Sequence, residues 1–369
     1  MNITEILVCP HTQNPLRWLT DEEISALNLH IGLYRFYTGE VINFSIVKAL
    51  TDIHQKFIYL YKEGIYFLMK NLAICKTSRL NISYADENYN TEAYKQAKIF
   101  YENFGWQLNN DDEYNDGAIF NDNRKFAKEY VSKCHKRVNK FLDYTGEYMV
   151  DIASGPIQHE EYIKYSENFK KRICIDISVE ALKGAKRKIG DHGVYILGDI
   201  TNIPLKSGSA DAAISLHTIY HIDKQKQHLA FRELYRILKK GAKCVIIYSW
   251  GGKNSLNTTE QHFSHLISPF VKGLKRFISK NKAIMNTQAA PMPLYFYAYS
   301  PIEIKQMLQR ENIKAEFYLW CLLDMWIIKK YLVAESAGKP FLKFASFLED
   351  KFAKQLYKFG AYPLILLIK

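Results

Sequence analysis

Tyr148-Met-Val-Asp-Ile-Ala-Ser-Gly-Pro-Ile-Gln158 reads as an apolar strand that ends in Asp151 and turns tightly through Ala153, Ser154, Gly155 and Pro156 into a helix. A nucleotide-holding strand-turn-helix-strand unit carries a second acid at the end of its next strand. Arg172-Ile-Cys-Ile-Asp176 supplies that strand and that acid, and Val194-Tyr-Ile-Leu-Gly-Asp199 finishes the same way. Three successive strands thus deliver one carboxylate each to the same edge of a sheet. Such an edge suits a ligand with hydroxyls and an amino group, and a nucleoside has both.

Outward from this unit, strand and helix alternate: strand 148–152, helix 157–168, strand 172–176, helix 178–189, strand 194–197, strand 211–216, helix 224–239 and strand 242–249. Short Val/Ile-rich strands between helices of about three turns predict an α/β fold, a parallel sheet with helices on both faces and ligands beyond the carboxyl ends of its strands. Apolar residues at helical spacing over Asn254 to Ala283 predict a helical lid within an insertion at 251–299. Its later part carries Tyr295, Phe296, Tyr297 and Tyr299. These rings either roof the strand ends or pack the lid to the sheet. Ser300-Pro-Ile-Glu303 is a helix start with a capping box. A strand at 314–321, a helical insertion at 322–355 and a terminal strand from Tyr362 follow.

The composition permits a sizeable core, with 48% hydrophobic residues and an aromatic share of 14% over 369 residues. The six cysteines are far apart without C-x-x-C spacing, which predicts reduced core thiols in a cytoplasmic protein. The start Met1-Asn-Ile-Thr-Glu does not read as a secretory signal, and no run reaches the roughly 20 apolar residues of a membrane span. The net charge of +12 raises a nucleic-acid partner. The basic clusters at Lys170-Lys-Arg172, Lys183 to Lys188 and Lys239-Lys240 are placed on helix faces or helix ends. A solvated surface is therefore favoured over an RNA-binding one.

Asp151-Ile-Ala-Ser-Gly-Pro-Ile157, Asp176, Gly198-Asp-Ile-Thr-Asn-Ile-Pro204 and Leu234-Tyr-Arg-Ile-Leu-Lys-Lys-Gly241 fall in one order over residues 145–250. That series resembles the class I methyltransferases that use S-adenosylmethionine, whose small-molecule members share a D-x-G-x-G-x-G turn, a strand-end acid, a G-D-x-x-x-L/I-P segment and a late L-K-P/K-G-G. The resemblance implies a Rossmann-like seven-stranded sheet whose last two strands form an antiparallel hairpin. It implies S-adenosyl-L-methionine as cofactor, with Asp176 and the adjoining Ile177 at the ribose, Asp199 and Ile200 at the adenine, and Ala153 and Gly155 beneath the methionine part. Asp151 would act through the turn or on the cofactor's ammonium, and Leu216, at the fourth strand's end, would also contact the cofactor. Two family glycines are replaced. Ala153 costs little if its φ stays negative, whereas Ile157 is expected to add bulk beside the cofactor's amino-acid end.

In the resembled family, the segment Ser215-Leu-His-Thr-Ile-Tyr-His221 faces the transferring methyl. His217 would be the base at near-neutral pH, Tyr220 would hold the sulfonium, and His221 would begin the next helix. Each histidine also fits a capping or packing role. No metal is required, because methyl transfer depends on orientation and desolvation.

Ile6-Leu-Val-Cys-Pro-His-Thr-Gln-Asn-Pro-Leu16 and Lys62-Glu-Gly-Ile-Tyr-Phe-Leu68 resemble a small zinc-ribbon-like module that accompanies methyltransferases. Only Cys9 and His11 stand near its first turn, so a small N-terminal domain over 1–75 without metal is expected, with His11 an exposed turn residue. A polar linker at 76–92 precedes the methyltransferase domain at 93–369. Helical faces at 93–104 and 126–142, the latter through Phe126, Tyr130, Cys134 and Val138, should cover the cofactor edge. The acidic run from Asn109 to Asp116 is either a solvated loop or a lid. The expected function is transfer of a methyl group to a small or medium, partly hydrophobic acceptor. RNA or protein as acceptor, or a non-catalytic docking scaffold, are the alternatives.

Overall fold

A computed structural model describes residues 3–79, 91–110, 112–120, 122–250, 293–325, 328–329, 332 and 334–369. Six short strands come first: β1 (Leu16–Trp18), β2 (Tyr34–Phe36), β3 (Ala49–Asp52), β4 (Ile58–Lys62), β5 (Ile65–Phe67) and β6 (Ile74–Lys76). Helix α1 (Asp21–Leu29) starts on a capping box between Thr20 and Glu23. Helices α2 (Glu92–Phe100), α3 (Asn115–Phe120) and α4 (Lys125–Lys136) lead into β7 (Gly146–Ile152). Then come α5 (Glu160–Ile163), β8 (Phe169–Asp176), α6 (Val179–Ile189), β9 (Gly193–Leu197), β10 (Ala210–Leu216), α7 (Gln227–Ile237) and β11 (Leu238–Ile247). The chain closes with α8 (Pro301–Arg310), β12 (Ala315–Cys321), α9 (Glu335–Lys351) and β13 (Tyr362–Ile368).

The strands run in the order β1-β3-β4-β5-β9-β8-β7-β10-β11-β13-β12. From β5 to β11 the pairs along this path are parallel, and β13 runs antiparallel to both β11 and β12. The expected terminal hairpin is present. The chain doubles back between β7 and β10, and such a switch point opens a crevice at the carboxyl ends of the strands. Alternation along each strand fills both faces. Val150, Ile173 and Ile246 pack with Phe231 and Leu234 of α7 and Ile304 of α8. Met149, Cys174 and Val245 pack with Tyr130 of α4, Leu182 of α6 and Leu342 of α9.

The N-terminal strands continue this sheet through β5, which pairs with β9 in the register Ile65↔Tyr195, Tyr66↔Ile196 and Phe67↔Leu197. Leu7 bridges to Leu205, and Leu7, Leu50 and Tyr59 share the core of Val150. His11 is not the exposed turn residue expected. Its ring stacks on Phe57 at 4.0 Å and its Nε2 lies 3.0 Å from the Lys70 carbonyl. Cys9 Sγ lies 3.3 Å from the Tyr59 hydroxyl.

Three local expectations need correction. The helix at 157–168 shrinks to α5 and a 3-10 turn at Lys164–Ser166, because Ile157 takes a φ of 56° that no right-handed helix accommodates. Lys170-Lys-Arg172 lies on β8 with Arg172 wholly buried, and Lys239-Lys240 lies on β11. The acidic run ends inside helix α3 rather than in a loop. The predicted lid helix at 254–283 lies outside the described residues. All six cysteines are free and buried. Among the described residues, no helix is long and apolar enough to cross a membrane.

Candidate active site

The turn after β7 is built from left-handed residues. Ala153, Gly155 and Ile157 have φ of 56°, 55° and 56°. The negative φ at which Ala153 would cost little is therefore not met, and along this left-handed path the Gly155 amide reaches β8. That amide donates to Asp176 Oδ2 at 2.9 Å, and the Ser178 amide donates to Oδ1 at 2.9 Å. The bulk expected of Ile157 beside a ligand is also absent. Its side chain is wholly buried in the core that holds Tyr162 and Leu182.

Alanine in the left-handed region costs about 1–2 kcal/mol, part of which glycine gives back as unfolded-chain freedom. Ala153→Gly is expected to stabilise the fold by up to about 1 kcal/mol, read as a raised urea midpoint with unchanged slope. A lowered midpoint would show that the Ala153 methyl contributes packing instead.

A cavity of about 810 Å³ opens over this turn. Asp151, Ala153 and Gly155 line it beneath, Asp176 and Ile177 beside β8, and Asp199 and Ile200 after β9. Leu216, His217 and His221 line it beyond β10. Tyr220 stands behind them, its hydroxyl 3.2 Å from His217 Nδ1. The structure thus gathers the sequence-derived positions around one hollow.

Their electrostatics differ. Asp151 is held by Arg172, whose Nε donates to Oδ2 at 3.0 Å and whose second guanidinium nitrogen donates to the same oxygen. Burial raises the Asp151 carboxyl, and the guanidinium offsets part of that rise. Asp199 Oδ1 accepts from the Thr201 amide and hydroxyl, each at 2.8 Å. Among the described residues, no cation pairs with Asp176. Burial pushes it up to about 6, against the pull of the Gly155 and Ser178 amides. Below that value the carboxyl is mostly protonated and cannot accept hydrogen bonds from two ligand hydroxyls. Affinity for a ribose-bearing ligand is therefore expected to be steady above pH 7 and to fall up to about tenfold per unit as pH drops below 6, measured by calorimetry.

His217 takes a φ of 58°, and its ring meets Trp320 at 4.9 Å and Tyr362 at 5.1 Å, both edge-on. Burial, followed by His135 and His221, pushes it down to about 3. The imidazole is neutral at physiological pH but a weaker base than the near-neutral one expected. His221 is pushed down to about 4 by burial, with its Nδ1 2.7 Å from the Tyr295 carbonyl. The described end of the 251–299 insertion is fastened by such contacts. Tyr297 N donates to the Tyr220 carbonyl at 2.8 Å and Tyr299 N to the Tyr248 hydroxyl at 3.0 Å.

Sequence reading missed five contributors. Arg172 reads as one charge of a solvated cluster, although an arginine within Arg-Ile-Cys-Ile-Asp is a signal of a buried partner. Trp106 follows a π-turn over Tyr101–Gly105 and stacks on Tyr101 at 5.0 Å. A Cβ on Gly155 would come within 3.1 Å of the Trp106 ring, so Trp106 covers the turn. Tyr101 and Asp116 complete that wall, and His11 lines the far end. Away from the cavity, Cys134, Cys321 and Glu349 have ligand atoms within 4.8 Å of one another. Arg137 sits on them, 2.9 Å from Glu349 and 3.0 Å from Cys134 Sγ, and supplies the positive charge that a metal ion would bring.

Residues 150–246 match the family described as "Methyltransferase domain". Over 101 residues the chain is 29% identical to tRNA (carboxymethyluridine(34)-5-O)-methyltransferase of Xenopus tropicalis, a match that covers 26% of this chain and 15% of that protein. Over 101 residues it is 30% identical to demethylmenaquinone methyltransferase of Renibacterium salmoninarum, covering 27% of this chain and 40% of that one. The chain thus spans less than half the length of either curated relative. Among solved structures, geranyl diphosphate C-methyltransferase from Streptomyces coelicolor aligns at 13% identity over 66% of this chain and 79% of that chain, with a TM-score of 0.41.

Proposed function

We propose that this chain, whose residues 150–246 form a class I S-adenosylmethionine-dependent methyltransferase domain, moves a methyl group to an oxygen, nitrogen or carbon of a small or medium, partly hydrophobic acceptor. The observation that carries this reading is Asp176: a buried carboxyl, paired with no cation among the described residues and lining a cavity that Asp199 also lines. Each of its oxygens takes one backbone amide, which leaves a lone pair on each for a ribose hydroxyl. The residues present therefore fit the cofactor. Asp176 would hold the ribose, with Ile177 beside it. Asp199 Oδ2, whose sister oxygen is engaged by Thr201, would take the adenine amino group, with Ile200 beside the base. The turn at Ala153 and Gly155, covered by Trp106, would carry the methionine part. Asp151, already paired with Arg172, would act by shaping the turn.

When bound, S-adenosylmethionine supplies a methyl group on positively charged sulfur. The chain's part is to orient the acceptor in line with it and to exclude water. Leu216, His217, Tyr220 and His221 stand where β10 ends, on the side of the cavity away from Asp199. With both imidazoles neutral, they offer hydrogen bonds and ring faces without adding positive charge to a site that already receives a sulfonium.

Calorimetric titration with S-adenosylhomocysteine tests the reading. Saturable one-to-one binding in the micromolar range or tighter is expected, and no heat at millimolar ligand would favour the scaffold alternative. An RNA acceptor is a second reading, supported by the net charge of +12 and by the tRNA-acting relative. It requires tRNA binding that weakens steeply with salt.

A further inference from the structure

Helix α3 brings one carboxyl into the cavity that the reaction as read above does not use. Asp116 lines the hollow together with Gly155, Trp106, Tyr101, Tyr162 and His217. Among the described residues it has no hydrogen-bond or ion-pair partner, which separates it from Asp151, Asp176 and Asp199. Its charge reaches the hydroxyls of Tyr101, Tyr162 and Tyr220 and adds to the rise that burial gives each of them. The carboxyl is thus ringed by aromatic side chains, with Trp106 and Tyr101 stacked as one wall.

Arg232, Arg236, Lys226 and Lys70 also line the cavity; Arg236 on α7 binds the carbonyls of Ile203 and Leu205 at 2.8 and 2.7 Å, and none of the four acts on Asp116, whose rise has burial as its one cause. His217 and His221, which line the same cavity, are pushed down by burial to about 3 and about 4 and are neutral. An acid set among rings with no cation of its own is complementary to a ligand cation, which aromatic faces and a carboxylate attract together.

We propose that the acceptor is a primary or secondary amine that enters as its ammonium form, and that Asp116 is the catalytic residue that holds its nitrogen and takes its proton. The proposal rests on reading the chain as a methyltransferase. The ammonium N–H bond breaks and its proton passes to the Asp116 carboxylate. The freed lone pair on nitrogen forms the bond to the methyl carbon while the carbon–sulfur bond breaks, its electron pair staying on sulfur. The products are a methylated ammonium and a neutral thioether, and Asp116 returns its proton to solvent. Burial alone pushes Asp116 up to about 7, which suits a group that must both accept and release a proton near neutrality.

A matched series tests this: 2-phenylethylamine, 2-phenylethanol and phenylacetate are titrated into wild-type protein saturated with S-adenosylhomocysteine, and into Asp116→Asn. The amine is expected to bind wild type at least about tenfold more tightly than the alcohol, with phenylacetate weakest. Asp116→Asn is expected to erase that preference and to keep S-adenosylhomocysteine affinity within about twofold. Equal binding of amine and alcohol by wild type, or no amine binding at millimolar concentration, overturns the proposal without need of the variant. So does a preference that survives in Asp116→Asn. A tenfold loss of cofactor affinity in the variant also overturns it, because Asp116 then serves the cofactor's own ammonium. If neither protein binds S-adenosylhomocysteine, the methyltransferase reading falls and takes this proposal with it, whereas cofactor binding without an amine preference sinks the proposal alone.

Discussion

Arg172→Met is expected to destabilise the protein by about 3–5 kcal/mol, the usual cost of leaving one half of a buried ion pair without its partner. Arg172 is fully buried on β8, and Asp151 on β7 is 3% exposed. The guanidinium supplies two bonds to Asp151 and one to the Tyr162 carbonyl. Methionine fills much of the same volume, so the loss comes from the stranded carboxylate and not from a cavity. The double variant Arg172→Met/Asp151→Asn removes both charges and should recover more than half of the loss in urea unfolding. If the double variant is as unstable as the sum of the two single ones, the charges are not coupled and the pair is packing material only.

Asp176→Ala is expected to weaken S-adenosylhomocysteine binding by roughly ten- to over a hundredfold, since each hydrogen bond to a charged acceptor contributes about 1.5–3 kcal/mol. The carboxyl also anchors the Gly155 and Ser178 amides, so the alanine variant loosens the turn as well as removing the acceptor. Asp176→Asn separates the two effects. It keeps one acceptor oxygen and most of the shape, so its affinity should fall between wild type and alanine. Calorimetry on folded samples reads both, and unchanged affinity in Asp176→Ala would remove this residue from the cofactor site.

What could be read from the chain, and what could not, divides along a physical line. Strands and strand-end acids were legible because alternation and apolar runs are local, and the seven strands from β7 onward appear where the pattern placed them. Backbone sign was not legible. Ala153 and Ile157 are residue types that ordinarily avoid the left-handed region, and they adopt it in a turn tied to β8 through the Gly155 amide and to the core through the Ile157 side chain. Side-chain partners across long sequence separations were equally hidden. Arg172 meets Asp151 because β7 and β8 pair in one register, with Asp151 opposite Cys174. Asp116 sits in a polar, acidic stretch that resembles solvated surface, and nothing within it marks the carboxyl that turns inward. The roles of His217, Tyr220 and His221 depend on an acceptor's position, which no local pattern in the sequence encodes.

The parallel pairing of β5 with β9 has a consequence for how this molecule can be divided. Residues 65–67 close a border that would otherwise present the unpaired amides and carbonyls of residues 193–197 to any passing extended chain. The opening segment is thus no detachable accessory: a shortened chain lacking it would carry an adhesive rim next to the loop that holds Asp199. Keeping that rim covered is reason enough to retain the segment, whatever else it touches.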